Sequence, residues 1–77
     1  MQSNKNIVLI TGGSGFIGKY ITKFFIKRNF FVVNFDIKPI KNFSSPNYKF
    51  LKGDITKIES LKKAFTKNVK YVFFLPM

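Results

Sequence analysis

Hydrophobic and polar positions alternate between two distinct patterns along the chain. Ile7-Val8-Leu9-Ile10 is a short unbroken apolar run, the pattern of a parallel strand buried on both faces, with Lys5 and Asn6 at its solvent end. Phe16, Ile17, Tyr20, Ile21, Phe24 and Phe25 then recur at helical spacing, and Lys19, Thr22, Lys23 and Lys27 fall opposite them. Phe30 to Phe35 is a second strand, and Tyr48-Lys49-Phe50-Leu51 a third. Ile58, Leu61, Ala64 and Phe65 give a second helix its buried face, opened by Thr56-x-x-Glu59 as a capping box, and Tyr71 to Leu75 form a fourth strand stopped by Pro76. The one clear loop, residues 38–47, carries Pro39, Ser44, Ser45 and Pro46.

Strands alternating with helices predict an α/β fold with a parallel sheet. Right-handed crossovers place the four strands in the order 3-2-1-4, a partial doubly wound (Rossmann) arrangement with two helices or more. The fourth strand would stand at a bare edge, an association hazard given its aromatic and aliphatic content.

The junction between first strand and first helix reads Thr11-Gly12-Gly13-Ser14-Gly15-Phe16-Ile17-Gly18. Glycines at 12, 15 and 18 allow a sharp turn, close approach of a pyrophosphate, and close packing of helix on strand. The first-turn N–H groups and the positive end of the helix dipole suit the same anion, while Lys27 and Arg28 suit the other end. The second strand ends in Asp36, 18 residues after Gly18. A carboxylate there can accept both ribose hydroxyls and would repel a 2′-phosphate, which points to NAD rather than NADP, although Lys38 could attract that phosphate. Alone, Asp36 is also a common strand-ending turn residue.

Composition narrows the function. A chain this short buries only about 60% of its extended surface, so marginal stability is expected. There is no Cys and no His, which leaves no disulfide framework and no ligands for zinc. No apolar stretch is long enough to span a bilayer and no signal-peptide layout is present, so a cytoplasmic location is expected. The formal charge of +11 raises nucleic acid as a partner. Its carriers are scattered Lys with a single Arg, a distribution that fits solvated faces and a compositional bias better than a base-reading surface.

With these segments placed, the chain resembles the N-terminal half of the extended short-chain dehydrogenase/reductases, the NAD-dependent epimerase/dehydratase family. Thr11 to Gly18 is similar to that family's TGGxGFIG loop, Asp36 falls at its ribose-binding acid, and Gly53-Asp54-Ile55 resembles its GDI segment. The resemblance implies pyrophosphate contact by the backbone of Phe16 and Ile17, an Asp54 contact to the adenine amino group, and packing of Ile55 on the ring. Asp54 also suits a simple helix-entry turn. Phe74-Leu75-Pro76-Met77 departs from the family's His-Leu-Ala-Ala-like segment. The family's catalytic Ser/Thr and Tyr-x-x-x-Lys pair lie beyond the matched region, so no catalytic residue is assigned. Tyr48-x-x-x-Lys52 has the spacing but falls on a strand, where four residues span about 13 Å rather than one helical turn.

The resemblance implies that residues 1–77 are one incomplete NAD(P)-binding Rossmann domain, its second half and the substrate domain absent, a dinucleotide-binding module derived from an enzyme acting on nucleotide-sugars and inactive by itself. Alternatives are one chain of a split oxidoreductase or epimerase, completed by a complementary chain, and a non-functional gene fragment; self-association through the exposed fourth strand is the other partner expectation. A small basic nucleic-acid-binding protein is disfavoured.

Overall fold

The computed structural model describes residues 5–54 and 56–77. Strand β1 (Ile7–Thr11) leads into helix α1 (Phe16–Lys27), followed by β2 (Phe31–Asp36), β3 (Tyr48–Lys52), α2 (Thr56–Ala64) and β4 (Val69–Phe74). All pairings are parallel and the sheet order is β3-β2-β1-β4, as the strand–helix alternation predicts. β1 and β2 are buried at every position, while β3 and β4, each paired on one side only, are partly exposed. Thr11 at the end of β1 lies beside Phe35 and Phe74, so the turn after it sits at the carboxyl ends of three strands.

The two-residue period of the central strands builds a core on each face. Ile7, Leu9, Phe31, Val33 and Phe35 pack with Ile58, Leu61 and Phe65 from α2 and its C-terminal extension. Val8, Ile10 and Val32 point the other way, against Ile21, Phe25 and Ile26 of α1. Asn34 and Asp36 continue the Val32 side of β2 and so turn toward the α1 end of the molecule, where the glycine turn lies. No helix among the described residues is long and apolar enough to cross a membrane.

The structure corrects three expectations. First, α1 is rotated relative to its apparent apolar face. Phe16, Ile17 and Tyr20 are mostly exposed and Phe24 sits at the surface, whereas Thr22, expected on the polar side, is fully buried. The cause is steric. A Cβ on Gly18 would lie 2.1 Å from Gly12 O and 2.6 Å from Gly13 Cα, so the helix turns its narrowest position to the loop, and Thr22 follows one turn later. Second, Thr56 does not cap α2 through Glu59. Its own N–H and hydroxyl both donate to Asp54 Oδ1, and Glu59 pairs instead with Lys62 at 3.6 Å. Third, β4 begins at Val69 and ends at Phe74, leaving Leu75 beyond the strand; in α2, Ala64 is exposed.

Candidate functional site

The glycine turn is tied to all three strands around it. Gly12 N–H donates to Phe35 O at 2.9 Å, and Thr11 exchanges hydrogen bonds with Leu75, its Oγ1 donating to Leu75 O and accepting Leu75 N–H, both at 2.9 Å. Gly12 takes φ +71°, a left-handed conformation that favours glycine, and a Cβ there would come within 2.3 Å of Pro76 O. Gly15 differs. It occupies the N-cap of α1 in extended conformation, and a Cβ on it would meet only Gly12 O, at 3.5 Å. Nothing among the described residues demands a glycine at 15, so its bare backbone leaves space facing outward.

The amides of the turn divide into two sets. Gly12, Gly13, Ser14 and Gly15 spend theirs internally, on Phe35 O, Asn34 Oδ1, Asp36 Oδ2 and Gly12 O. Among the described residues, Phe16, Ile17 and Gly18 have no hydrogen-bond partner for theirs and no side chain caps the helix, and no acid occupies its first turn. Free donors together with the positive end of the helix dipole give this helix mouth the chemistry that suits an anion.

Asp36 stands beside that mouth, 5% exposed. Its Oδ2 accepts Ser14 N–H at 3.0 Å and its Oδ1 accepts Ile37 N–H at 2.6 Å. Two hollows meet at Gly15 and Pro76. One, of about 280 Å³, is lined by Gly12, Phe16, Ile17, Gly18 and Leu75 besides the shared pair; the other, of about 250 Å³, adds Ser14, Asp36, Ile37, Lys38 and Met77. The structure thus places Gly12, Gly15, Phe16, Ile17, Gly18 and Asp36 around one continuous depression. A larger hollow of about 430 Å³ lies elsewhere, on the outer face of α1, lined by that helix and Arg28 just beyond it.

Asp54 lines neither part of the depression. Its segment does start close by, since Gly53 N–H donates to Asp36 O at 2.8 Å. The hydrogen bond from the Thr56 hydroxyl, reinforced by the Thr56 N–H, lowers the Asp54 pKa below its ordinary 3.8. Ile55 lies outside the described residues. Tyr48 and Lys52 stand at opposite ends of β3, and the Tyr48 hydroxyl is taken by Asn34. Asn34 is the site residue that sequence reasoning missed. Fully buried, it bonds Gly13, Ser14 and Tyr48. Its signal was a lone amide inside an apolar strand, a placement that burial tolerates only when the amide is hydrogen-bonded.

A four-stranded parallel sheet ordered 3-2-1-4, with a glycine turn opening a helix at the strands' carboxyl ends and an acid at the tip of the second strand, defines a Rossmann-type fold. Residues 8–75 match the NAD dependent epimerase/dehydratase family, and the chain belongs to it. It is 33% identical over 68 residues to a probable dTDP-glucose 4,6-dehydratase of Sinorhizobium fredii, covering 75% of this chain and 19% of that protein. Among solved structures, it resembles the epimerase Mth375 of Methanothermobacter thermautotrophicus with TM-score 0.71 and 32% identity, over 96% of this chain and 23% of that one. It also resembles dTDP-glucose 4,6-dehydratase of Bacillus anthracis, solved in complex with NAD, with TM-score 0.67 and 27% identity, over 92% and 26%. The chain therefore spans about a quarter or less of the length of these relatives.

Proposed function

We propose that this chain binds NAD by its adenosine diphosphate half. The reading rests on the free N–H groups of Phe16, Ile17 and Gly18 opening beside the Asp36 carboxylate, across the unobstructed backbone of Gly15. The pyrophosphate sits on the helix mouth and the adenosine ribose hydroxyls on Asp36. Asp54 and Ile55 hold the adenine. Asp36 favours NAD over NADP, with Lys38 at the rim of the same depression as the opposing influence. Calorimetric titration with both dinucleotides tests this. NAD binding more tightly is the expected result, and tighter NADPH binding or none by folded protein overturns it.

The chemistry this module serves is conversion of a nucleotide-sugar by a longer or composite protein, in which residues 1–77 form the first part of the cofactor domain. The exposed edge of β4, with Phe74 68% and Tyr71 48% exposed, favours a sheet continued there by further strands from a complementary chain or a second copy. Sedimentation of the chain alone and mixed with the C-terminal remainder of a relative distinguishes these. A heavier species in the mixture that neither chain gives alone is the expected outcome, and self-association of this chain alone favours the second copy.

A further inference from the structure

Asn34 and Asp36 are two positions apart on β2 and project to the same side, and they capture consecutive N–H groups of the glycine turn, those of Gly13 and Ser14. Asp36 is the acid expected in such a fold. The amide two residues before it does something different. Asn34 Oδ1 accepts Gly13 N–H at 2.8 Å, and its Nδ2 donates one hydrogen to Ser14 Oγ and the other to the Tyr48 hydroxyl, each at 3.0 Å. Ser14 Oγ in turn donates to Lys38 O. Both hydrogens of the Asn34 amide are used, and a reversed amide would turn its NH₂ toward the Gly13 N–H, donor against donor.

The contact is also close. A Cβ on Gly13 would lie 2.3 Å from Asn34 Oδ1, so the turn rests directly on this side chain. Tyr48 anchors the far end. Its ring meets Phe43 edge-on, at 5.2 Å between centroids, and its hydroxyl accepts the Asn34 amide. The chain of bonds runs from β3 through β2 to the turn and holds the Gly13 N–H and the Ser14 hydroxyl inward, while Asp36 takes the Ser14 N–H and Gly12 O that of Gly15, so that among the described residues the first unpaired donor of the turn is that of Phe16.

We infer that Asn34 and Tyr48 are positioning residues that set the shape of the glycine turn from beneath and thereby its affinity for the dinucleotide. The inference rests on the proposed NAD binding. It assigns a role to the tyrosine whose spacing from Lys52 imitates a catalytic pair: Tyr48 acts on the loop, through Asn34, and touches no substrate.

Tyr48→Phe in the full chain is the test, because it removes one oxygen and keeps the ring against Phe43; Tyr71→Phe, which alters a half-exposed hydroxyl on β4, is the control. Amide hydrogen exchange is followed by NMR, with NAD titrated in parallel. Tyr48→Phe should speed exchange at Gly13 and Ser14 and weaken NAD binding, each by about threefold to tenfold, as expected for one lost hydrogen bond. Exchange at Val8 and Ile10 reports global opening and rises with any lost native contact, so Leu61→Ala on α2 is a second control: it should speed those two amides and leave Gly13, Ser14 and NAD affinity as in wild type. Unchanged exchange at Gly13 and Ser14, or faster exchange with NAD affinity untouched, overturns the inference. Failure of the NAD reading looks different, since wild type then gives no response to NAD at all. In that case the exchange at Gly13 and Ser14 still supports or overturns the control of the turn by Tyr48. Asn34→Leu, which leaves the Gly13 N–H without its acceptor, should show the same local loosening more strongly.

Discussion

Asp36 Oδ2 accepts the Ser14 N–H at 3.0 Å, so the acid at the tip of β2 holds the glycine turn as well as facing the depression. Its other oxygen is held by Ile37 N–H at 2.6 Å. Asp36→Asn cannot satisfy both donors, because one of them would face an NH₂ group. Hydrogen bonds to charged groups are worth about 1.5–3 kcal/mol, and a loss in that range is expected in denaturant unfolding. The same substitution should weaken NAD binding and narrow the preference over NADP, read by titrating both. Unaltered discrimination would separate Asp36 from the ribose.

Gly15 and Gly18 should respond oppositely to the same methyl group. At Gly18 the added Cβ meets backbone at 2.1 and 2.6 Å, which neither Gly12 nor Gly13 can yield without dismantling the turn. Gly18→Ala should cost about 3 kcal/mol or prevent folding. At Gly15 the only neighbour among the described residues is an ordinary contact at 3.5 Å, and φ −74° suits alanine. Gly15→Ala should therefore keep the fold, at a cost of about 1 kcal/mol for the poorer N-cap. It should nonetheless lose about tenfold or more in NAD affinity, because the methyl enters the space a pyrophosphate needs. Thermal unfolding and calorimetry on the pair check both halves.

Thr22 is fully buried and its Oγ1 has no hydrogen-bond partner among the described residues. An unpaired buried hydroxyl is destabilising, and Val has nearly the same shape and helix propensity. Thr22→Val should raise stability by about 1 kcal/mol, equivalent to about 4–8 °C in Tm for a domain of this size. Thr22→Ser, which keeps the hydroxyl, should not.

The same residue shows where sequence reasoning fell short. β1 and β2 were legible because strands buried on both faces read as unbroken apolar runs, and the sheet order followed from the alternation of strands with helices. The turn, its glycines and Asp36 were legible through spacing. The rotation of α1 was not, because a chain with 11 Phe offers apolar residues on more than one helical face. Contact between Gly18 and the turn then decides which face goes inward. Asn34 was hidden for a related reason: one polar residue in an apolar strand carries no period, and its partners come from 21 positions before it and 14 after. At α2, Asp54 and Thr56 were rival caps, and only geometry shows the first serving the second.

That cap gives the chain an acid-sensitive element. The hydrogen bonds from Thr56 lower the Asp54 pKa below 3.8, so the folded state favours the carboxylate more than the unfolded state does. The stabilisation is complete above the unfolded value and disappears as pH falls through the lower folded one. Acidification through about pH 4 and below should therefore fray the start of α2 while β1 and β2 persist. The residue is fully exposed, so the effect should be local. Carbon-13 titration of the Asp54 carboxyl, with hydrogen exchange at Thr56, follows the change directly. Asp54→Asn retains an acceptor for the Thr56 N–H without a titrating group, and its Thr56 exchange, corrected for the intrinsic pH dependence of the amide, should stay flat over the same range. If the variant frays on acidification as wild type does, the sensitivity does not belong to Asp54 and the reading fails.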